Sequence, residues 1–141
     1  MNEYNMRSIT QRMLRIGKEA WNDSRGSLNN EKLSNIQYNI AYVILNNPGI
    51  SQDGISTYLH LDKSSVAKLI VKLIDMGYVI REVNQDDKRQ YQLYLTEKGK
   101  EEIEELNAIL ISWEEKTFHE LDSETYKMMN DLLTKIEDKI F

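Results

Sequence analysis

The chain contains no cysteine. Disulfides, thiolate metal sites and thiol-based redox sensing are therefore excluded, while the compartment is left open. Proline is almost absent. Pro48 is the single one, and six glycines are the other breakers in 141 residues, which favours long helices. No apolar run approaches the roughly 20 residues needed to span a bilayer, so no membrane partner is expected. The opening Met1-Asn2-Glu3-Tyr4-Asn5 has no basic segment followed by an apolar one. No signal peptide is expected, and a cytoplasmic location is the default. Positive charge is not in excess either. The net charge is −5, yet residues 1–59 balance at +1, residues 60–96 at +1 and residues 97–141 at −7. The acidic surplus is confined to the C-terminal third, so the charge of the middle segment permits contact with a polyanion without demonstrating it.

What is present is helical periodicity in a chain of ordinary globular composition, with 40% hydrophobic and 29% charged residues, which suits one domain. Residues 4–21 carry Tyr4, Ile9, Met13, Ile16, Ala20 and Trp21 at helical spacing, with Met6 and Leu14 beside them. Asp23 to Asn30 reads as a polar loop. A second helix beginning near Leu33 is apolar on nearly all sides, which belongs in an interior. It stops at Asn46-Asn47-Pro48-Gly49. Ser51 is the N-cap of a short third helix that buries Ile55 and Leu59, and His60-Leu61 forms a turn. Asp62 caps a fourth helix from Lys63 to about Met76. Its Val66, Leu69, Ile70, Leu73 and Ile74 make one inward stripe, and Gly77 supplies the stop.

Tyr78 to Val83 and Tyr91 to Leu95 read as strands around a polar hairpin tip, Asn84 to Gln90, with Tyr91, Leu93 and Leu95 on one face. Thr96 caps a fifth helix, with Glu97 at the positive end of its dipole. That helix carries Ile103, Leu106, Leu110 and Trp113 on one stripe. Asp122 or Ser123 opens a sixth, bearing Tyr126, Met129, Leu132, Leu133, Ile136 and Ile140. Helix, tight turn, basic-faced helix, strand, charged tip, strand is the order of a helix-turn-helix followed by a β-wing. Such a unit can fit a DNA major groove with one element and the flanking backbone or minor groove with the next.

These residues resemble the MarR family of winged helix-turn-helix regulators. The Gln-aromatic pair of that family's second helix is matched by Gln37-Tyr38. The turn after its recognition helix is matched by Gly77-Tyr78-Val79-Ile80-Arg81. Its wing, Asp-Pro-x-Asp-Arg-Arg followed by a segment ending in Leu-Thr, is met by Asn84-Gln85-Asp86-Asp87-Lys88-Arg89 and then Gln90 to Thr96. Leu95-Thr96-Glu97-Lys98-Gly99 is its usual exit. Asn84, Gln85 and Lys88 depart from the pattern. Without the proline the tip is less rigid, and Lys88 keeps the charge but lacks the planar fork of arginine.

The resemblance implies a mainly α fold with a small β-wing, one domain over residues 1–141. The winged helix-turn-helix lobe would occupy 33–99, and dimerisation helices 1–32 and 100–141. It implies a homodimeric, sequence-specific transcriptional regulator on double-stranded DNA, needing no cofactor. It would act as a repressor relieved by a small aromatic or lipophilic effector. A dimer also follows from physics: one helix reads only a few base pairs, and two half-sites about 34 Å apart supply the rest through an inverted-repeat operator. Candidates for the two-fold interface are Met6, Ile9, Met13, Trp113, Phe118, Leu132, Ile136, Ile140 and Phe141, some of them intramolecular core instead.

On the fourth helix the DNA-facing candidates are Lys63, Ser64, Ser65, Lys68 and Lys72. The hydroxyls are short enough for base edges or phosphates, and the lysines suit phosphates or guanine. At the tip, Arg89 suits a narrow minor groove of enhanced negative potential. Asp87 would orient Arg89 or Lys88 by a charge-assisted bond. Arg81 touches phosphate or pairs with Glu82 or another nearby acid. Trp21, Tyr38 and Tyr42 either line an effector cleft between dimerisation helices and lobe or are core aromatics. His60 and His119 stand far apart, in no nucleophile, phosphate-loop or metalloprotease motif, so neither an enzyme nor a metal site is expected. His60 reads as a turn residue and His119 as a helix end. The competing class is a winged helix turned into a protein-interaction module that does not bind DNA.

Overall fold

The computed structural model describes residues 8–26 and 33–141. In chain order the elements are α1 (Ile9–Gly26), α2 (Asn35–Asn46), α3 (Gln52–Leu59), α4 (Lys63–Asp75), β1 (Val79–Val83), β2 (Tyr91–Leu95), α5 (Glu97–Phe118) and α6 (Ser123–Ile140). Side-chain caps fix six helix starts, and at α1 Ser8 Oγ accepts from the Gln11 N–H at 3.1 Å. Ser51 accepts from the Gly54 N–H, Asp62 from Ser65, Thr96 from Gly99 and Asp122 from Thr125. Each satisfies a backbone donor that has no partner within its helix. Ser34 does more: its hydroxyl accepts from the Gln37 N–H at 3.2 Å while Gln37 Oε1 accepts from the Ser34 N–H at 2.8 Å. Gln37 is thus the second half of a capping box.

The first helix departs from the sequence reading. Asp23, Ser24 and Arg25 are helical, not loop, and α1 ends at Gly26. The polar composition there hides an inward face, because Trp21 and Ser24, three residues apart, are both buried. Tyr4, Met6 and the remainder of the expected loop, 27–30, lie outside the described residues.

The core lies between α2 and the elements around it. Ile40, Ala41 and Ile44 of α2 meet Ile55 of α3, Val66, Ile70 and Leu73 of α4, Leu93 and Leu95 of β2, and Ile103 and Leu106 of α5. Each fully buried aliphatic chain is worth about 1.5–3 kcal/mol relative to exposure. The strands pair antiparallel, with Val79 opposite Leu95 and Val83 opposite Tyr91. Ile50 adds an isolated bridge to Leu93. Tyr91 shares the face of Leu93 and Leu95 but lies beyond the core's edge and is exposed. At the end of α4, Gly77 adopts φ +77°, a left-handed value that glycine takes without strain.

Among the described residues, α6 gains none of this burial. None of its residues is buried, and Tyr126, Met128, Leu132, Leu133, Ile136 and Ile140 are all exposed. It is tied to α5 by the Tyr126 hydroxyl, which donates to Glu114.

Candidate DNA-binding face

The outward side of α4 is set by what its inward side buries. With Val66, Ile70 and Leu73 in the core and roughly 3.6 residues per turn, Ser64, Lys68, Val71 and Asp75 fall along one outward line. Lys72 and Ser65 flank it. Lys68 and Lys72 are exposed and form no ion pair among the described residues. Lys63 turns the other way and pairs with Asp53 in the first turn of α3 at 3.2 Å. The start of the helix is organised by Asp62. Ser64 Oγ donates to Asp62 Oδ1 at 2.7 Å, and the Ser65 N–H donates to the same oxygen at 2.8 Å. Hydrogen bonds from Ser65 and Ser64 hold the Asp62 carboxyl far below the usual carboxylate range.

The wing tip is built from side-chain-to-backbone bonds. Asn84 Oδ1 accepts from the Asp86 N–H at 2.9 Å, and the Asn84 N–H donates to the Gln90 carbonyl at 3.0 Å. Asp87 then accepts from Arg89 three times: Oδ1 from the backbone N–H and from Nε, both at 3.1 Å, and Oδ2 from the guanidinium at 3.3 Å. The side-chain and backbone bonds from Arg89 lower the Asp87 pKa. The Arg89 side chain nonetheless stays 90% exposed. Lys88 is exposed beside it. Arg81 lies over the Tyr91 ring, 5.1 Å from its centre, so a cation–π contact replaces the acid partner considered from sequence. Glu82, its neighbour on the strand, points to the other face.

Tip and helix-turn-helix share a cleft of about 160 Å³, lined by Ser51, Gln52, Asp53, Arg89, Gln90 and Tyr91. Asp53 also holds Lys63, so the start of α4, the start of α3 and the wing tip adjoin on one side of the lobe.

Behind this face, three contacts tie the end of α4 to the start of α5. Thr96 Oγ1 donates to the Gly77 carbonyl at 2.6 Å and accepts from the Gly99 N–H at 3.0 Å. Lys98 Nζ donates to the Met76 carbonyl at 2.9 Å and sits over the Tyr78 ring at 5.0 Å. Gly99 packs directly on the Tyr78 backbone, where a Cβ would come within 2.2 Å of the carbonyl oxygen. The spacing Thr-x-Lys-Gly is therefore one joint with three separate chemical demands.

A MarR family model matches residues 32–90, from the start of α2 to the end of the wing tip. The HTH-type transcriptional regulator BilQ of Clostridium symbiosum is 30% identical over 63% of this chain and 62% of its own length. A MarR protein from Peptoclostridium difficile superposes with a TM-score of 0.83 at 26% identity, covering 99% of this chain and 92% of that one. From α2 to the wing tip the chain is similar to the MarR family. Its relatives are transcriptional regulators, not enzymes. The fold is also that of Streptococcus pneumoniae FabT, solved in complex with DNA, with a TM-score of 0.78, 20% identity and 94% of each chain covered. The chain spans 62% of the length of BilQ and 37% of a second curated relative, from Thauera aromatica.

Within the MarR pattern, Asn84 stands at the wing position of the usual Asp and supplies the acceptor that turns the tip. The tip lacks the family's proline and is held by these bonds instead.

Trp21, Tyr38 and Tyr42 form a row with ring centres 5.5 and 5.9 Å apart. Trp21 and Tyr38 are buried, and Tyr42 is 41% exposed. The Tyr38 hydroxyl donates to Asn107 of α5 at 3.3 Å, and burial, then Tyr42, raise its pKa. None of the three lines a described cavity. Two cavities lie along the α1–α5 pair. One of about 740 Å³ is lined by Arg12, Arg15, Ile16, Glu19, Trp113, Thr117 and Phe118, and one of about 220 Å³ includes Ser24, Ser112 and Lys116. His60 is the left-handed cap of α3, its ring edge-on to Phe141 at 5.2 Å. His119 ends α5, with Nδ1 2.9 Å from the Lys116 carbonyl.

Sequence reasoning did not anticipate two of the contacts that build this face. The partners of Asp53 and Lys98 lie 10 and 22 residues away, so neither contact carries a local signal.

Proposed function

We propose that the protein binds an inverted-repeat DNA operator as a homodimer and represses transcription. The lobe at 33–99 would read DNA, and the helices within 1–32 and 100–141 would pair the two copies. α4 enters the major groove with Ser64, Ser65, Lys68 and Lys72. Lys63 and Arg81 reach phosphates at its flanks, Lys63 once it leaves Asp53. The tip brings Lys88 and Arg89 to the adjacent minor groove, with Asp87 holding Arg89 extended. The observation that carries this reading is that Asp53 both pairs with Lys63 at the start of α4 and lines a cleft with Arg89, which supports simultaneous contact by the start of α4 and by Arg89.

The dimer is supported by α6, whose apolar stripe has no cover among the described residues, and by Ile9 and Met13 of α1, both exposed. Trp113 and Phe118, 6.2 Å apart, are half-buried at the same end of the molecule and would contribute to it. A small aromatic or lipophilic effector would act at the Trp21–Tyr38–Tyr42 row, between α1, α2 and α5, by favouring a lobe spacing that no longer matches the half-sites. The deciding experiment is a salt series on random-sequence duplex DNA. Affinity should fall steeply with rising salt as counterions are released. A flat response, or no binding at low salt, would instead favour a winged helix that has become a protein-interaction module.

A further inference from the structure

We propose that Val71 is a sequence-reading residue that contacts the 5-methyl group of a thymine in the major groove. The inference rests on the DNA-binding reading above and adds a base preference to it. Val71 is 45% exposed, the one large apolar side chain of α4 left so. The helix meets its core with Val66, Ile70 and Leu73, and Val71 lies on the opposite side, three residues after Lys68 and seven after Ser64. A single exposed hydrophobic residue is ordinary in itself. What sets Val71 apart is its place on the outward line of α4, between two lysines that form no ion pair among the described residues.

The major groove offers such a residue one apolar partner. Every base edge there presents donors or acceptors, and thymine adds a methyl group. Valine suits the task because a β-branched side chain holds one χ1 rotamer in a helix, so its methyls arrive in a fixed place. Lys68, one turn earlier, and Lys72, beside it, can hold backbone phosphates along one flank of the contact. Asp75, one turn further on the same line, repels phosphate and marks where the groove contact ends. Seven residues separate Ser64 from Val71, about 10.5 Å along the helix. That places the thymine about three base pairs from the position facing Ser64.

The test selects bound duplexes from a random pool with the natural protein, Val71→Ala and Val71→Thr. The natural protein should enrich a thymine at one position of each half-site. Val71→Ala should lose that preference while keeping the rest of the motif, and Val71→Thr, which keeps one methyl, should retain part of it. On the selected duplex, deoxyuridine in place of that thymine removes only the methyl. It should weaken the natural protein about fourfold per half-site, the factor for one buried methylene-sized group, and leave Val71→Ala unchanged. Identical motifs for the natural protein and Val71→Ala, or equal deoxyuridine effects in both, would overturn the assignment with DNA binding intact. Failure of the natural protein to enrich any duplex at low salt would overturn the DNA-binding reading and this inference with it.

Discussion

Alanine at position 99 sets two local effects against each other. Gly99 lies in the first turn of α5, where alanine is favoured over glycine by about 1 kcal/mol. Yet its Cβ would stand 2.2 Å from the Tyr78 carbonyl oxygen and 3.0 Å from both the carbonyl carbon and Cα of that residue. These are backbone atoms of a residue that is 1% exposed, and they cannot swing aside as a flexible side chain would. Relief requires α5 to move off β1. That motion stretches the Thr96 Oγ1 bond to the Gly77 carbonyl and the Thr96 N–H bond to the Tyr78 carbonyl, 2.6 and 3.0 Å respectively. Overpacking costs about 1–3 kcal/mol, and each hydrogen bond lost adds about 0.5–1.5. The sum exceeds the propensity gain, so Gly99→Ala should destabilise by about 1–5 kcal/mol. Gly17 is the control. It is helical in α1, and a Cβ there meets nothing within 4 Å. Gly17→Ala should therefore stabilise by about 0.5–1 kcal/mol. Urea unfolding at one fixed protein concentration reads both midpoints. If Gly99→Ala matched the natural protein, or shifted in the same direction as Gly17→Ala, the reasoning would be refuted.

Arg89→Ala should weaken operator binding about tenfold and lower the salt slope by about one, with the dimer intact by sedimentation; unchanged affinity would remove the wing from the mechanism. Asp53→Asn should raise affinity for duplex DNA severalfold at low salt, because it deletes a carboxylate that holds Lys63 and borders the cleft beside Arg89. A fall in fluorescence-anisotropy affinity would mean that Asp53 organises the face instead of opposing the polyanion. Asp62 has its pKa lowered in the folded state, so its contribution is present above the ordinary carboxylate value near pH 4 and is lost as pH falls from there towards the folded value. Asp62→Asn still caps α4 but no longer titrates, and should flatten the decline of thermal stability below pH 4; an unaltered acid limb would rule the cap out as its source. Ile136→Glu should convert the dimer to monomer in sedimentation, since Ile136 lies on the uncovered stripe of α6, and a persistent dimer would move the interface elsewhere.

Much of the fold could be read from residues that obey a local rule. Ser51, Asp62, Thr96 and Asp122 each announce a helix start by the bond they make three residues on. The strand Tyr91–Leu95 is bounded as its alternation predicts. The end of α1 was misread for a physical reason. Asn22, Asp23 and Arg25 are polar because that side of the helix meets water, and composition alone does not distinguish a solvated helical face from a loop. Contacts between distant segments were illegible. Nothing near Lys63 indicates that Asp53 will occupy it, and nothing near Gly99 indicates that the Tyr78 backbone will lie where a Cβ would go. Periodicity in α6 shows that a face wants cover but cannot name what covers it. The motif Leu95-Thr96-Glu97-Lys98-Gly99 was recognisable as a pattern, and only the coordinates show that Thr96, Lys98 and Gly99 each meet the end of α4 differently.

The joint at Met76, Gly77 and Tyr78 fastens the end of α4 to the start of α5. With 22 residues, α5 is about 33 Å long and acts as a lever arm. A change of about 5° in the splay between two such arms would carry each reading helix about 3 Å, close to the roughly 3.4 Å rise of one base pair. Gearing on that scale would let a small disturbance near the pivot put both copies out of step with their half-sites while each lobe keeps its own packing unchanged.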